Sequence, residues 1–310
     1  MLFFLSTQTK TTDIMTQRQS TGVPRLDEML GGGLIPGTMT VVMGATGIGK
    51  TQLGLQYAHA GKKQEGETGI LFDMTSRGDA QNQDEYAKRL FDWDFRVASN
   101  EDIRKESFDV TSVWNADQSR TDYLHLFRRS GRRVTLSDLD EDQWREWKVE
   151  LSRKLDRAIY FFYGNFIHGV RRIVLDGIEP AEKASDSFQF HMIDYIYHQV
   201  LRKESDWLAR DLFRSHFRSQ ETKVLENPYD HQQLGCLVLY TCHEVMLDDL
   251  LERRIESGDL LSNANTIIQM GKTRENGKIG RALYVAKHRG SAVDESIVPF
   301  HITESGLQLQ

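Results

Sequence analysis

The sequence predicts an α/β protein: a mostly parallel central sheet flanked by helices and closed by an antiparallel hairpin. Three observations carry this. Short apolar runs at 38–43, 68–74, 171–177 and 237–240 read as buried strands, and helical periodicity separates them. The first runs straight into a glycine-rich turn and an amphipathic segment, the order strand, loop, helix. Near the carboxyl end, strands at Thr266–Met270 and Arg281–Ala286 flank Asn276-Gly277, a strong hairpin turn.

Bulk properties bound the rest. At 310 residues, with 39% hydrophobic and 27% charged residues, the chain could be one large α/β domain or two small ones. A net charge of -6 argues against a general affinity for nucleic acid. Cys236 and Cys242 form no metal-ligand pattern and read as buried thiols in a reducing compartment. The opening Met1-Leu2-Phe3-Phe4-Leu5 is too short for a signal peptide, and no run of about 18 apolar residues could cross a membrane. The expected location is the cytoplasm.

Residues 1–19, rich in Thr, Gln and Ser, read as a flexible leader in which Met1 and Met15 are both candidate starts. Ser20 or Thr21 is expected to cap a short helix that Gly31-Gly32-Gly33 ends, and Pro36-Gly37 turns the chain into the first strand. After the second strand come a helix with Tyr86, Leu90 and Phe91 and a short strand at Phe108–Thr111. Residues 112–150 carry opposite charge blocks, Arg128–Arg133 and Asp138–Asp142, and read as a solvated insertion in preference to a nucleic-acid patch. The pattern of Trp147, Leu151, Leu155, Ile159 and Phe162 predicts helix from Trp144 to about Val170, with Gly164 as an interruption. Aromatic helical segments follow over 184–219, then a helical piece with Leu247, Leu250 and Leu251. Two short strands, Ile297–Ile302 and Leu307–Leu309, close the chain around Ser305-Gly306.

The chemistry begins at Gly44-Ala45-Thr46-Gly47-Ile48-Gly49-Lys50-Thr51, a G-x-x-x-x-G-K-T loop with both flanks correct. Its glycines let backbone N–H groups converge on phosphate oxygens, and the next helix aims its positive end at the same anion. Lys50 would reach the β- and γ-phosphates and the Thr51 hydroxyl a Mg²⁺ ion, so the loop implies a nucleoside triphosphate. Asp176, ending the apolar run Ile173-Val174-Leu175, is the candidate second Mg²⁺ ligand, although many strands end in Asp. An attacking water needs an orienting group, for which Asp73 and Glu179 are the residues to weigh; Asp79 reads as a solvated loop carboxylate. Thr241 is either a γ-phosphate sensor or a surface turn. Lys287 and Arg289 flank His288 and would project to one side of an extended chain, either neutralising an anion or lying in solvent. The absence of H-E-x-x-H, paired C-x-x-C and G-x-S-x-G sets aside zinc proteases and α/β-hydrolases, and the absence of N-K-x-D leans away from a GTPase.

These motifs together resemble the KaiC/RadA branch of the RecA-like P-loop ATPases. Ser20-Thr21-Gly22-Val23-Pro24-Arg25-Leu26-Asp27-Glu28-Met29-Leu30-Gly31-Gly32-Gly33 is similar to that family's S-T-G-I-x-x-L-D-x-x-L-G-G-G opening. Phe91-Asp92-Trp93-Asp94 resembles F-G-W-D. Lys287-His288-Arg289-Gly290-Ser291 and Pro299–Leu307 resemble K-x-R-G-[ST] and P-F-x-I-T-x-x-G-[IL]. The resemblance spans about 20–309, with insertions near 112–150 and 203–232. It implies a single RecA-like domain over 20–310 that binds ATP with Mg²⁺ and forms rings, commonly hexamers, with nucleotide between neighbours. It also implies that Lys287 and Arg289 reach the adjacent subunit's γ-phosphate, in the manner of an arginine finger.

The chain departs from the family at one place. A pair of glutamates, one of which activates water, is expected after the second strand, where Thr75-Ser76 stand. Neither hydroxyl can act as a base, whereas Asp73, two residues earlier, shares a strand face with Thr75. The leading expectation is an ATPase coupling ATP state to a regulatory or signalling protein partner, with Lys50, Asp73, Lys287 and Arg289 as catalytic residues. A hydrolysis-deficient ATP-sensing module is the alternative. A DNA-dependent recombinase-type ATPase stands third, against the acidic charge and without a recognisable DNA-binding accessory domain.

Overall fold

The computed structural model describes residues 17–75, 83–99, 108–126, 140–179, 188–253, 260–275 and 277–310. In chain order its elements are α1 (Pro24–Met29), β1 (Met39–Gly44), α2 (Lys50–Gln64), β2 (Ile70–Asp73), α3 (Gln83–Phe91), α4 (Ala116–Ser119), β3 (Tyr123–His125), α5 (Glu141–Ile167) and β4 (Arg172–Ile178). There follow α6 (Phe188–Tyr195), α7 (Ser205–Phe213), α8 (Phe217–Glu226), β5 (Gly235–Thr241), α9 (Leu247–Glu252), α10 (Leu260–Asn263), β6 (Thr266–Glu275), β7 (Lys278–His288), β8 (Val298–Thr303) and β9 (Gly306–Leu309).

The strands form one sheet in the order β3-β2-β4-β5-β1-β6-β7-β8-β9. From β3 through β6 every pairing is parallel, and β6 to β9 are antiparallel. The central strands are buried on both faces, as helices on both sides of a parallel sheet require. Alternation divides the core accordingly. Met39, Val41, Met43, Phe72, Ile173 and Leu175 face the aromatic run Phe161-Phe162-Tyr163 of α5. Val42, Leu71, Val174, Leu237 and Leu239 face α1 and α2.

Several local expectations are corrected. Ser20 and Thr21 do not cap α1, whose N-cap is Val23 with Pro24 at the first turn. Both residues bind the Asp27 carboxylate instead, the Thr21 N–H at 2.6 Å, so the acid of the first turn gathers the preceding chain. The leader boundary also moves, because Gln19 exchanges two backbone hydrogen bonds of 2.8 Å with Leu34; residues 1–16 lie outside the described residues. Phe108–Thr111 is not a strand. The Asp109 carboxylate accepts from the Thr111 N–H and hydroxyl at 2.8 and 2.7 Å, which bends the chain into a 3-10 helix over Val110–Trp114.

The segment expected as a solvated insertion enters the core at its start: Val113 and Leu124 are fully buried, and β3 is the sheet's edge strand beside β2. The basic block Arg128–Arg133 lies outside the described residues. Gly164 does not interrupt α5; it lets the helix close on α4, since a Cβ there would meet the Ser119 Cβ at 2.9 Å. The second presumed insertion packs as well, with Phe213 at the end of α7 stacked on Trp114 at 5.5 Å.

Candidate functional site

The loop between β1 and α2 lies at the carboxyl end of the parallel strands, where open α/β sheets carry their ligands. Gly44 has no room for a side chain, because a Cβ would come within 2.3 Å of the Met270 carbonyl oxygen on β6. Gly47 (φ +74°) and Gly49 (φ +124°) take left-handed conformations that turn the backbone back over the start of α2. Around them opens a cleft of about 360 Å³, lined by Thr46, Lys50, Thr51, Thr75, Asp176 and Glu179 among others.

Lys50 is buried, and its ammonium donates to the Gly44 and Ala45 carbonyls at 2.8 and 2.9 Å. Burial lowers its pKa, and the Asp176 carboxylate pulls it partly back up. Thr51, in the first turn of α2, places its hydroxyl 3.4 Å from Asp176 Oδ2 on β4. Asp176 accepts from the Gly177 N–H at 2.7 Å and the Gln83 side-chain amide at 3.0 Å. Burial, reinforced by the neighbouring Asp73 carboxylate, pushes its pKa up to about 7. β5 lies between β1 and β4, and Thr241 at its end stands opposite Gly44 and lines the cleft.

Asp73 is the register partner of Asp176. Its carboxylate is already engaged, by the Tyr123 hydroxyl at 2.6 Å and the Thr75 N–H at 2.8 Å. Thr75 and Glu179 line the cleft itself, while Ser76 and Asp79 lie outside the described residues. Sequence reasoning missed Gln83 and Tyr123, which no local motif marks; they meet the site only because β3 pairs with β2 and the start of α3 reaches Asp176.

Lys287 and Arg289 do not join this group. Thr266 of β6 pairs with both Thr40 and His288, whereas Met270 pairs with Gly44, which puts the Lys-His-Arg run at the other end of the sheet. Four residues of strand separate those levels, about 13 Å. His288 is anchored inward, by Thr266 Oγ1 at 2.8 Å and Arg18 at 3.0 Å. Lys287 rests on the Leu261 and Ser262 carbonyls at 3.3 Å, and Arg289 is exposed.

The residues present fit a magnesium nucleotide. Among the described residues no group of three or more His, Cys, Asp or Glu could cage a metal. An ion in the cleft would draw only Thr51 and Asp176 from the protein, the sparse ligation that suits Mg²⁺ carrying water and phosphate oxygens. A larger cavity of about 450 Å³, bordered by Asp156 of α5 and Arg214 beyond α7, lies away from the loop. Its borders contain no such glycine turn.

Residues 19–128 match the family described as the KaiC ATPase. The matched segment, about a third of the chain, holds the glycine loop, and over it the chain is similar to KaiC-type ATPases. The chain is 43% identical over 53 residues to the DNA repair protein RadA of Mycolicibacterium smegmatis, which covers 16% of the chain and 11% of the relative. It is 49% identical over 39 residues to RadA of Mycobacterium tuberculosis, covering 13% of the chain and 8% of the relative. The matches therefore span only about a tenth of those curated relatives. A KaiC-like protein from Pyrococcus horikoshii superposes with a TM-score of 0.49 at 15% identity, over 95% of this chain and 99% of that one.

Proposed function

We propose that this KaiC-like chain binds ATP with Mg²⁺ between β1 and α2 and couples ATP binding or hydrolysis to a regulatory or signalling protein partner, as a ring-forming homo-oligomer. The observation that carries the reading is the convergence of Lys50, Thr51 and Asp176 at one glycine loop, with the two Mg²⁺ candidates 3.4 Å apart. Gly44 to Thr51 would wrap the phosphates with backbone N–H groups, and Lys50 would exchange the Gly44 and Ala45 carbonyls for phosphate oxygens. Thr51 and Asp176 would hold the ion, which when bound supplies charge neutralisation at the phosphates. Lys287 and Arg289 stand too far from their own loop to serve it, which favours a neighbour's nucleotide as their target. Among the described residues no helix is long and apolar enough to cross a membrane, in keeping with a cytoplasmic site of action. Neither a membrane nor a nucleic acid is part of the reading.

For turnover, Asp73, two residues before Thr75 in the sequence, is the candidate carboxylate, and the Tyr123 hydroxyl donates to it. The second reading, ATP sensing without turnover, draws on Thr75 facing the cleft where a glutamate is expected. Titration of the protein with a fluorescent ATP analogue tests the shared core: Lys50→Ala should abolish binding, and undiminished binding would sink the assignment. Steady-state phosphate release separates the two readings, since turnover lost on Asp73→Asn names the base and a wild-type protein without turnover leaves the sensor.

A further inference from the structure

β6 and β7 outrun the rest of the sheet. β1 ends beside Met270, and β8 pairs with β7 only at Ala282 and Leu283, yet the β6–β7 ladder continues through Lys272↔Arg281, Thr273↔Gly280, Arg274↔Ile279 and Glu275↔Lys278. The result is a ribbon projecting from the end of the sheet that bears the glycine loop, two-stranded beyond a bridge between Lys272 and Met246. Its described residues are exposed except Thr273, which is half-buried.

Side chains directly opposite in an antiparallel ladder share a face, and alternate residues share it along each strand. One face of the ribbon therefore carries Lys272, Arg274 and Arg281 together with Ile279, which is 62% exposed. The other carries Thr273, Gly280 and the oppositely charged Glu275 and Lys278. Among the described residues none of Lys272, Arg274 and Arg281 makes an ion pair, in a chain of net charge -6. Three unpaired cations on one face repel one another unless an anion lies across them. Beyond Ala282, the outer edge of β7 at Lys278–Arg281 also has no strand beside it among the described residues, so its backbone N–H and C=O groups are open to a guest strand.

We propose that this ribbon is a docking edge for an extended acidic segment of a partner protein, which adds as a strand to Lys278–Arg281 and lays its carboxylates over Lys272, Arg274 and Arg281. An edge offering alternating donors and acceptors matches a peptide backbone, whereas a nucleic-acid backbone presents acceptors alone. Ile279, at the centre of the cationic face, would meet an apolar side chain of the same guest strand. The inference deepens the partner-coupling reading by giving the partner's chemistry, and it does not depend on ATP.

The test uses the full chain without nucleotide and a fluorescein-labelled peptide of alternating Glu and Val, followed by anisotropy at physiological ionic strength. An oligo-dT of equal net charge is the comparison. The peptide should bind more tightly than oligo-dT, and the triple variant Lys272→Glu, Arg274→Glu, Arg281→Glu should weaken it at least about tenfold. Lys278→Glu, on the opposite face, should change it less than about twofold. Amide hydrogen exchange at Lys278–Arg281 should slow when the peptide is bound. Tighter binding of oligo-dT, no binding of the peptide, indifference to the triple variant or unprotected amides each overturns the proposal. Lys50→Ala should bind the peptide as the wild type does, so a failed ATP assignment is read separately.

Discussion

Asp73, the last residue of β2, and Asp176, near the end of β4, stand opposite each other on adjacent parallel strands, 4% and 6% exposed. Two carboxylates this close in a dry site disfavour simultaneous ionisation. The donors differ: Asp73 takes the Tyr123 hydroxyl and the Thr75 N–H, while Asp176 is the one pushed up to about 7 by burial and by Asp73. Of the two, Asp176 is the one whose surroundings favour the protonated form, and a bound cation would oppose that preference.

That arrangement makes stability depend on pH. A carboxyl raised in the folded state to about 7 contributes its full stability below the unfolded value near 4 and loses it as pH rises through 7. Asp176→Asn, which removes the titration, should thus melt close to wild type at pH 4–5 and several degrees above it at pH 8, without nucleotide. The same variant should lose the extra stabilisation that Mg²⁺ adds to bound ATP. Thermal melts across pH check both, and an Asp176→Asn curve parallel to wild type would contradict the assignment.

The Tyr123–Asp73 hydrogen bond predicts a positioning role. Tyr123 is held in place by stacking on Phe95 at 5.6 Å, and Tyr123→Phe would remove one donor from a buried carboxylate while keeping the ring. If Asp73 orients water, kcat for phosphate release should fall about three- to tenfold with KM for ATP little changed, as expected for the loss of a single hydrogen bond. A merely structural bond would lower the urea midpoint and leave kcat intact.

Much of this was legible beforehand because the signals are local. Gly44–Thr51, the strand that carries Asp176 and the Asn276-Gly277 turn each place a few neighbouring residues; their described parts form the expected elements, although β4 runs past Asp176 to Ile178. What stayed hidden depends on distant chain segments. β3 has only three residues and no strong pattern of its own; its identity comes from pairing with β2, and with it came Tyr123. Gly164 looked like a helix break because its reason, the close approach of Ser119, lies 45 residues away. The expected strands Thr266–Met270 and Arg281–Ala286 stopped short of most of the ribbon, so its pairing, which sets Lys272, Arg274 and Arg281 on one face, was not visible.

Arg172 predicts a stability effect far from the cleft. Its guanidinium is fully buried at the start of β4, bidentate on Glu65 at 2.7 and 2.9 Å, and it also donates to the Ser20 and Tyr57 carbonyls at 2.6 and 2.8 Å. One side chain thereby ties the opening S-T-G segment and the end of α2 to the sheet. Arg172→Ala leaves Glu65 and two carbonyls without their donor and should cost about 3–5 kcal/mol, and Arg172→Lys, which cannot span all four contacts, should recover only part of it. Urea denaturation followed by circular dichroism measures both.

The separation of Lys287 and Arg289 from their own loop carries the last prediction, which concerns assembly. If these cations act across a subunit boundary, Lys50→Ala spoils a subunit's own loop but leaves its Lys287 and Arg289 intact, and Arg289→Ala does the reverse. Each variant alone should be inactive in phosphate release. Mixed in equal amounts and allowed to exchange, they should recover about one quarter of wild-type turnover, because one in four head-to-tail contacts joins an intact loop to an intact pair of cations. A mixture as inactive as its components, in a protein whose wild type turns over ATP, would place Lys287 and Arg289 outside the reaction.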